Sequence, residues 1–499
     1  MKHRAGKAIR RAAAFAALLL PMAAVADEQP SALDREARIA RVEQGLSPRI
    51  VVAGVPRQRM TLPERMAFHG VPAVGIALVD QGRVQWARTY GVRDAAGQPP
   101  ATAATLFQAG SISKTVSALG ALRLVEQGRL SLDAEANAQL QHWKIPDNAF
   151  TQGHPVTLRA LLNHAAGTNV HGFEGYPRGA PVPNLLQVLD GVPPATSPAV
   201  RVEATPGTAW TYSGGGYSVV QQLMVEAGGQ PFAALMQSLV LAPLQMRDST
   251  FEVALPAAWQ ARAASGHHGD GQVVPGGWHV YPESAAAGLW STPADLAQVV
   301  VDIARAGEGT SGTVLSAAMT QALLRRGLGQ YGLGVYVEGI GAGRSFAHSG
   351  GTDGFRAQLY GYTHTGQGIV VMTNSDNGAA LIDEILVSVA AEYGWPEFQI
   401  VEKRALASDA AANARFAGQY QLVGKPAHVI AEGEHLYLQS DVFGRQRMEL
   451  HAESPTRFFA TAQDMTVEFA PGTGGEVPGF VLIRGDSRYP AQRVQPGNR

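Results

Sequence analysis

Ser111-Ile112-Ser113-Lys114-Thr115-Val116-Ser117-Ala118-Leu119-Gly120-Ala121-Leu122-Arg123-Leu124-Val125-Glu126-Gln127-Gly128 is the stretch from which the rest of the chain is best read. Apolar Val116, Leu119, Leu122 and Val125 recur at spacings of three, and Gly128 follows as a stop, so the pattern predicts a helix from Ser113 to Gln127. Residues three apart on a helix share a face, so the Lys114 amine reaches the Ser111 hydroxyl within one turn. A hydroxyl is a weak nucleophile until a base sits beside it. A lysine is a base only when neutral, so the pattern requires Lys114 to be buried or close to other positive charge. The positive end of the helix also favours an oxyanion forming at Ser111. An N-cap serine followed by a solvated lysine is the plainer alternative. Against it, the chain beyond its leader holds only Lys114, Lys144, Lys403 and Lys425, and Lys114 alone has a Ser or Thr three residues before it.

Upstream of this helix, Ala32 to Leu46 and Leu62 to His69 read as surface helices. The runs Ala73–Val79 and Arg83–Tyr90, split by Asp80-Gln81-Gly82, read as a hairpin. Downstream, Gly332–Val337, Phe355–Tyr362 and Gly368–Thr373 read as strands, and Ala380–Tyr393 as a helix. Strands at both ends with helices between them predict an α/β domain over 27–405, one mixed sheet flanked by helices. The Gly/Pro-rich loops Gly172–Pro183 and Gly266–Gly277 are long enough to border a cleft. Near Leu406 the character changes. After the Ala-rich stretch Ala405–Arg415, short alternating runs about ten residues apart continue to Phe480–Ile483, which predicts a small all-β barrel over 406–499.

Two further stretches carry chemistry. In Tyr212-Ser213-Gly214, a tyrosinate is able to take a proton from the serine and return it to a leaving group, provided nearby cations hold its pKa well below about 10. The glycine run Gly214-Gly215-Gly216 lets backbone approach a ligand closely, but no Gly-Lys-Ser/Thr follows, so it is not a phosphate loop. In His348-Ser349-Gly350-Gly351, placed between two predicted strands, a hydrogen-bonding side chain and a free N–H would line one wall of a cleft. A second copy, His364-Thr365-Gly366, falls between two strands and reads as an exposed hairpin turn.

The bulk numbers exclude other classes. Net charge is −1 and the pI about 6.9, which gives no footprint for nucleic acid. Apolar residues make up 45% of the chain and charged ones 16%, the balance of a globular protein. There is no cysteine, hence no disulfide framework, thiolate metal site or lipoprotein anchor. A basic head (Lys2 to Arg11), an apolar run Ala12–Ala24 and Ala24-Val25-Ala26 read as a signal peptide over 1–26. That run is too short to span a bilayer and no other stretch is apolar enough, so a periplasmic or secreted protein without an integral membrane segment is expected. His267-His268 suggests metal, but no His-Glu-x-x-His run accompanies it, and neither a metal nor a cofactor is assigned.

Taken in order, Ser111-x-x-Lys114, Tyr212-Ser213-x and His348-Ser349-Gly350 resemble the three motifs of the serine β-lactamase and penicillin-binding superfamily, S-x-x-K, Y-x-N and K-T-G. Class C β-lactamases and their esterase and D-aminopeptidase relatives are the most similar. Leu161–Gly167, Pro243–Met246 and Gly288–Leu296 add accessory likeness, so that six segments in order span roughly Leu62 to Tyr393. The C-terminal region looks like the lipocalin-like barrels appended to some of these hydrolases. The resemblance implies a transpeptidase-like fold with Ser111 as nucleophile and with Lys114 and Tyr212 sharing acid/base work. It implies the N–H groups of Ser111 and Gly351 as the oxyanion hole, and His164 and Gly167 as structural.

Two departures shape the expected substrate. Gly214 stands where the family has an amide that grips an acylamide, and His348 where it has a lysine. Both turn the expectation from penicillins towards esters, small amides or short peptides, including D-amino-acid ones. β-Lactamase or D,D-carboxypeptidase activity, or binding without turnover, is the alternative. A histidine with a pKa near 6.5 would gain charge only as pH falls, so KM for a carboxylate-bearing substrate is expected to rise between about pH 6 and 8.

Overall fold

The computed structural model describes residues 31–440, 442, 447–470, 477–485 and 487–494; the leader expected over 1–26 lies outside the described residues. The chain divides at Ala40. The first unit is described as most of helix α1 (Ala32–Glu43), and the second begins at Arg41. Helix α2 (Leu62–His69) starts on a reciprocal cap, in which the Thr61 hydroxyl accepts from the Glu64 N–H and the Glu64 carboxylate accepts from the Thr61 N–H. Gly70, at φ +65°, ends it.

The expected hairpin forms from β1 (Ala73–Asp80) and β2 (Arg83–Gly91), and Gln81 and Gly82 both take the positive φ that a tight two-residue turn demands. Far along the chain come β3 (Tyr336–Glu338), β4 (Ser345–Thr352), β5 (Phe355–Tyr362) and β6 (Gly368–Thr373). The sheet order is β2-β1-β6-β5-β4-β3. Its strand pairs are all antiparallel, and β6 lies against β1 with Gly368 opposite Val79 and Thr373 opposite Val74. The two ends of the domain thus close one sheet, as the strand distribution predicts, although the sheet is antiparallel throughout rather than mixed.

Helix α3 (Ile112–Glu126) is buried from Ile112 through Leu122 and again at Leu124. Its apolar spacing therefore marks no single stripe, because neighbours cover it all round. It packs against α4 (Gly214–Gly228), α5 (Ser284–Ala287) and β4, while α6 (Pro293–Gly307) and α7 (Gly378–Tyr393) pack on the sheet. This central position is what dries out Lys114.

The sequence places the His348 segment between two strands, whereas the structure makes it half of β4. Ser349-Gly350-Gly351 has no apolar side chain to alternate, so it lacks a strand signature. Its pairing with β5 is nonetheless continuous from Ser345 opposite Tyr362 to Thr352 opposite Phe355.

After Val401–Lys403, which pairs in parallel with Ile50–Val52, the chain forms helix α8 (Ala410–Ala414) where the sequence suggests only a linker. Eight strands then close a barrel: β7 (Gly418–Leu422), β8 (Lys425–Glu432), β9 (His435–Ser440), β10 (Met448–Ala452), β11 (Arg457–Ala460), β12 (Met465–Phe469), β13 (Gly479–Arg484) and β14 (Ser487–Arg493). Its interior is filled by Tyr420, Leu438, Met448, Phe458, Met465, Phe469 and Phe480, so the barrel is a packed core rather than a ligand cup. Phe416, just after α8, stacks on Phe469 at 4.2 Å between ring centroids and joins that core.

Candidate active site

Ser111 is the N-cap of α3 but makes no side-chain cap bond, which leaves its hydroxyl available to other partners. Lys114, one turn on, brings Nζ to 3.1 Å from Ser111 Oγ and donates to the Ala286 carbonyl of α5 at 2.9 Å. Its side chain is only 2% exposed. Burial opposes the ammonium form and lowers the Lys114 pKa to about 7. The condition that the sequence set for a lysine base is met by desolvation.

Tyr212 lies beside this pair, its ring 5.0 Å from Lys114 Nζ. Burial pushes its pKa up to about 12, and the nearby Ser111 hydroxyl offsets this only in part. The expected tyrosinate is therefore corrected: Tyr212 is a phenol at neutral pH. The adjacent Ser213 caps α4 by accepting from the Gly216 N–H at 2.9 Å, and its own N–H donates to His164 Nδ1 at 3.2 Å. The His164 ring sits 4.3 Å from that of Tyr212. Burial, with the charge of Lys114, lowers the His164 pKa well below the usual value, so a neutral ring supports the tyrosine. At Gly214, an added Cβ would lie 2.9 Å from the Phe173 ring and 3.3 Å from the His171 carbonyl. The space an amide side chain would need is already filled.

His348 is 2% exposed, with Nε2 2.9 Å from the Tyr331 hydroxyl and Nδ1 2.7 Å from the Ser349 carbonyl. The neutral ring satisfies both contacts, donating from Nδ1 and accepting at Nε2. Burial first, then repulsion from Lys114, lowers its pKa to about 3. The expectation of a histidine that charges near pH 6.5 is thus overturned, because burial and the neighbouring Lys114 hold the ring neutral.

Gly350 and Gly351 bring β4 against the start of α3. An added Cβ on Gly350 would lie 2.0 Å from the Ala109 carbonyl oxygen, and one on Gly110 2.5 Å from the Gly351 nitrogen. Thr352 and Phe355 flank the two-residue turn Asp353-Gly354 as a hydrogen-bonded pair. By alternation Gly351 and Arg356 form a non-hydrogen-bonded pair, so the Gly351 N–H points away from β5. β3 pairs with β4 only at Ser345–Ala347, so that edge is open beside Ser349 and Gly351, both exposed.

The structure therefore brings Ser111, Lys114, Tyr212, His348, Ser349, Gly350 and Gly351 together around the start of α3. His364 stands apart in the exposed turn between β5 and β6. Sequence reasoning missed the Ala286 carbonyl, Tyr331 and Phe173. Ala286 lies two residues before the recognised Gly288–Leu296 segment and Phe173 within the Gly172–Pro183 loop, while Tyr331 carries no local signal.

The β-lactamase family model matches residues 59–392, two thirds of the chain. The chain belongs to the β-lactamase family. Penicillin-binding protein 4* of Bacillus subtilis (strain 168) is 25% identical over 466 residues, covering 87% of this chain and 97% of that protein. Esterase EstB of Burkholderia gladioli is 33% identical over 217 residues, 41% of this chain and 52% of the esterase, so the match spans about half of that relative. Among solved structures, the octameric penicillin-binding protein homologue from Pyrococcus abyssi superposes with a TM-score of 0.58 at 21% identity, over 86% of this chain and 98% of that one. That likeness reaches beyond the family match and bears on the fold alone. Within this β-lactamase-family chain, the serine, lysine and tyrosine of the motifs occupy one cluster, Lys114 buried and Ser111 and Tyr212 half-buried, while the amide and the third-motif lysine are replaced.

Proposed function

We propose that this protein is an exported serine hydrolase that cleaves esters or small amides and peptides through an acyl-enzyme on Ser111. The observation that carries the reading is the dry Lys114 amine, 3.1 Å from the Ser111 hydroxyl and with its pKa lowered to about 7. Neutral Lys114 takes the hydroxyl proton as Ser111 Oγ bonds to the substrate carbonyl carbon. The oxyanion is met by the N–H groups of Ser111 and Gly351, whose dipoles are set before reaction. Tyr212, a phenol beside Ser111, gives its proton to the leaving alkoxide or amine as the C–O or C–N bond breaks, and Lys114 restores it. Water then attacks the acyl-enzyme by the same steps, releasing the acid and regenerating Ser111.

Substrate preference follows from the two departures. A neutral His348 offers no fixed charge to a substrate carboxylate, and Phe173 closes the place of the missing amide. Both favour neutral acyl groups over penicillins, and the similarity to an esterase agrees. The basic and apolar leader over 1–26 supports export. The test is a panel of p-nitrophenyl esters, D-aminoacyl amides and nitrocefin with wild type and Ser111→Ala. Ester or amide turnover lost in the mutant is expected. Turnover of nitrocefin alone, or an active Ser111→Ala, would contradict the reading.

A further inference from the structure

The turn joining β4 to β5 carries Asp353, and charged or titratable side chains converge on it from distant parts of the chain. His268 comes from the Gly-rich loop 266–277, His279 from just beyond it, and Asp376 from the segment between β6 and α7. His268 Nδ1 lies 3.3 Å from Asp353 Oδ1 and 3.6 Å from Asp376 Oδ2, and His279 Nε2 lies 3.5 Å from Asp353 Oδ2. Ligand atoms of His268, Asp353 and Asp376 all fall within 4.8 Å of one another. Asp376 Oδ1 is taken by Arg356 at 3.0 Å and by the Gly354 N–H at 3.1 Å, which leaves Oδ2 for the cluster.

These spacings have a chemical meaning. Nitrogen and oxygen ligands at about 2.0–2.1 Å around a tetrahedral zinc ion stand about 3.3–3.4 Å apart. Around octahedral magnesium they stand only about 3.0 Å apart. The two His268 contacts, 3.3 Å to Asp353 and 3.6 Å to Asp376, lie nearer the tetrahedral edge than the octahedral one.

A second observation is independent of those distances. His279 Nδ1 lies 2.9 Å from the Glu174 carbonyl oxygen, so that nitrogen donates to it. Nε2 is then the nitrogen turned towards the Asp353 carboxylate, 3.5 Å away. A backbone carbonyl on the far nitrogen is also how metal-bound imidazoles are oriented. His267, the other half of the sequence pair, is spent structurally: Nδ1 is 2.9 Å from the Asn374 carbonyl and Nε2 accepts from the Ala95 N–H at 3.2 Å.

We propose that His268, Asp353 and Asp376 bind a divalent transition-metal ion of the zinc class, with His279 holding the other oxygen of Asp353. Its role is to tie the 266–277 loop and the β6–α7 segment to the turn two residues beyond Gly351. The ion takes no part in proton transfer at Ser111. In the test, untagged full-length protein is stripped with chelator and titrated with zinc by calorimetry, with Tm read in parallel. Wild type is expected to bind about one equivalent and to gain Tm, as a ligand specific to the folded state must produce. His268→Ala removes a half-exposed ring and is expected to fold normally, to bind zinc at least about tenfold more weakly and to lose the Tm gain. Asp353→Asn is expected to weaken binding likewise. His435→Ala, which removes a surface histidine paired with Glu449 in the barrel, is expected to bind as wild type does. No binding by wild type, undiminished binding by His268→Ala, or a Tm gain with calcium or magnesium but not zinc would overturn the proposal.

Discussion

At the scale of single residues, one physical cause sets three titrations in different directions. Burial penalises whichever form is charged, so it lowers Lys114 to about 7 and His348 to about 3 and raises Tyr212 to about 12. At pH 7 a good share of Lys114 is therefore a free amine, while His348 and Tyr212 are both neutral. The Ser111–Lys114 pair was legible in the sequence because its geometry is local, three positions on one helix. The neutrality of His348 was not, since it depends on burial in the folded core and on Lys114, more than two hundred residues earlier in the chain. A measurable consequence follows. A histidine whose pKa is depressed to about 3 stays uncharged throughout the working range. KM for a carboxylate-bearing substrate is thus expected to vary no more between pH 6 and 8 than KM for the neutral ester of the same acyl group. A rise confined to the carboxylate substrate would mean that His348 titrates after all.

At the scale of elements, the site depends on two backbones pressed together. β4 meets the Ala109–Ser111 segment closely enough that only glycine fits at 350, where a Cβ would sit 2.0 Å from the Ala109 carbonyl oxygen. Gly350→Ala is expected to force the strand outward, to cost roughly 1–3 kcal/mol of stability as an overpacked contact, and to displace the Gly351 N–H from its partner at Ser111. Because that N–H acts on charge that develops in the transition state, kcat is expected to fall on the order of a hundredfold with a smaller change in KM. A folded variant with unchanged kcat would detach Gly351 from the oxyanion. The hairpin, α2, α3 and the strands β5 and β6 were readable from alternation, spacing and turn residues. β4 was hidden because Ser349, Gly350 and Gly351 hold their place through main-chain bonds to β5, and main-chain bonds leave no pattern in side chains.

At the scale of the whole molecule, Ser111, Tyr212 and Gly351 stand about a hundred residues or more apart in sequence and meet only because β6 closes on β1. The order of the motifs was visible in the sequence, but the closure that unites them is a property of the sheet. The C-terminal barrel was legible as repeated short strands, whereas α8 was not, because alanine-rich segments read equally well as linker or helix. Asn413 is buried and Phe416 enters the barrel core, whereas Arg404, before α8, is exposed. Trypsin at low ratio is expected to cut there first and release a β-rich fragment of about 10 kDa, as a linker between compact bodies allows. First cleavage in the 172–183 or 266–277 loops, with Arg404 protected, would argue for one integrated body.

The central claim is that Ser111 becomes a nucleophile because the buried Lys114 is neutral. The most direct measurement is the rate of modification by a fluorophosphonate probe as a function of pH, with the labelled peptide identified by mass spectrometry. Lys114 acts only when unprotonated, so reactivity is present above its pKa and lost as pH falls through it. The account predicts a label on Ser111 alone, a rate that rises to a plateau with an apparent pKa of about 7, and no labelling of folded Ser111→Ala. A label on another residue, or a Ser111 rate that stays flat from pH 5 to 9, would contradict it.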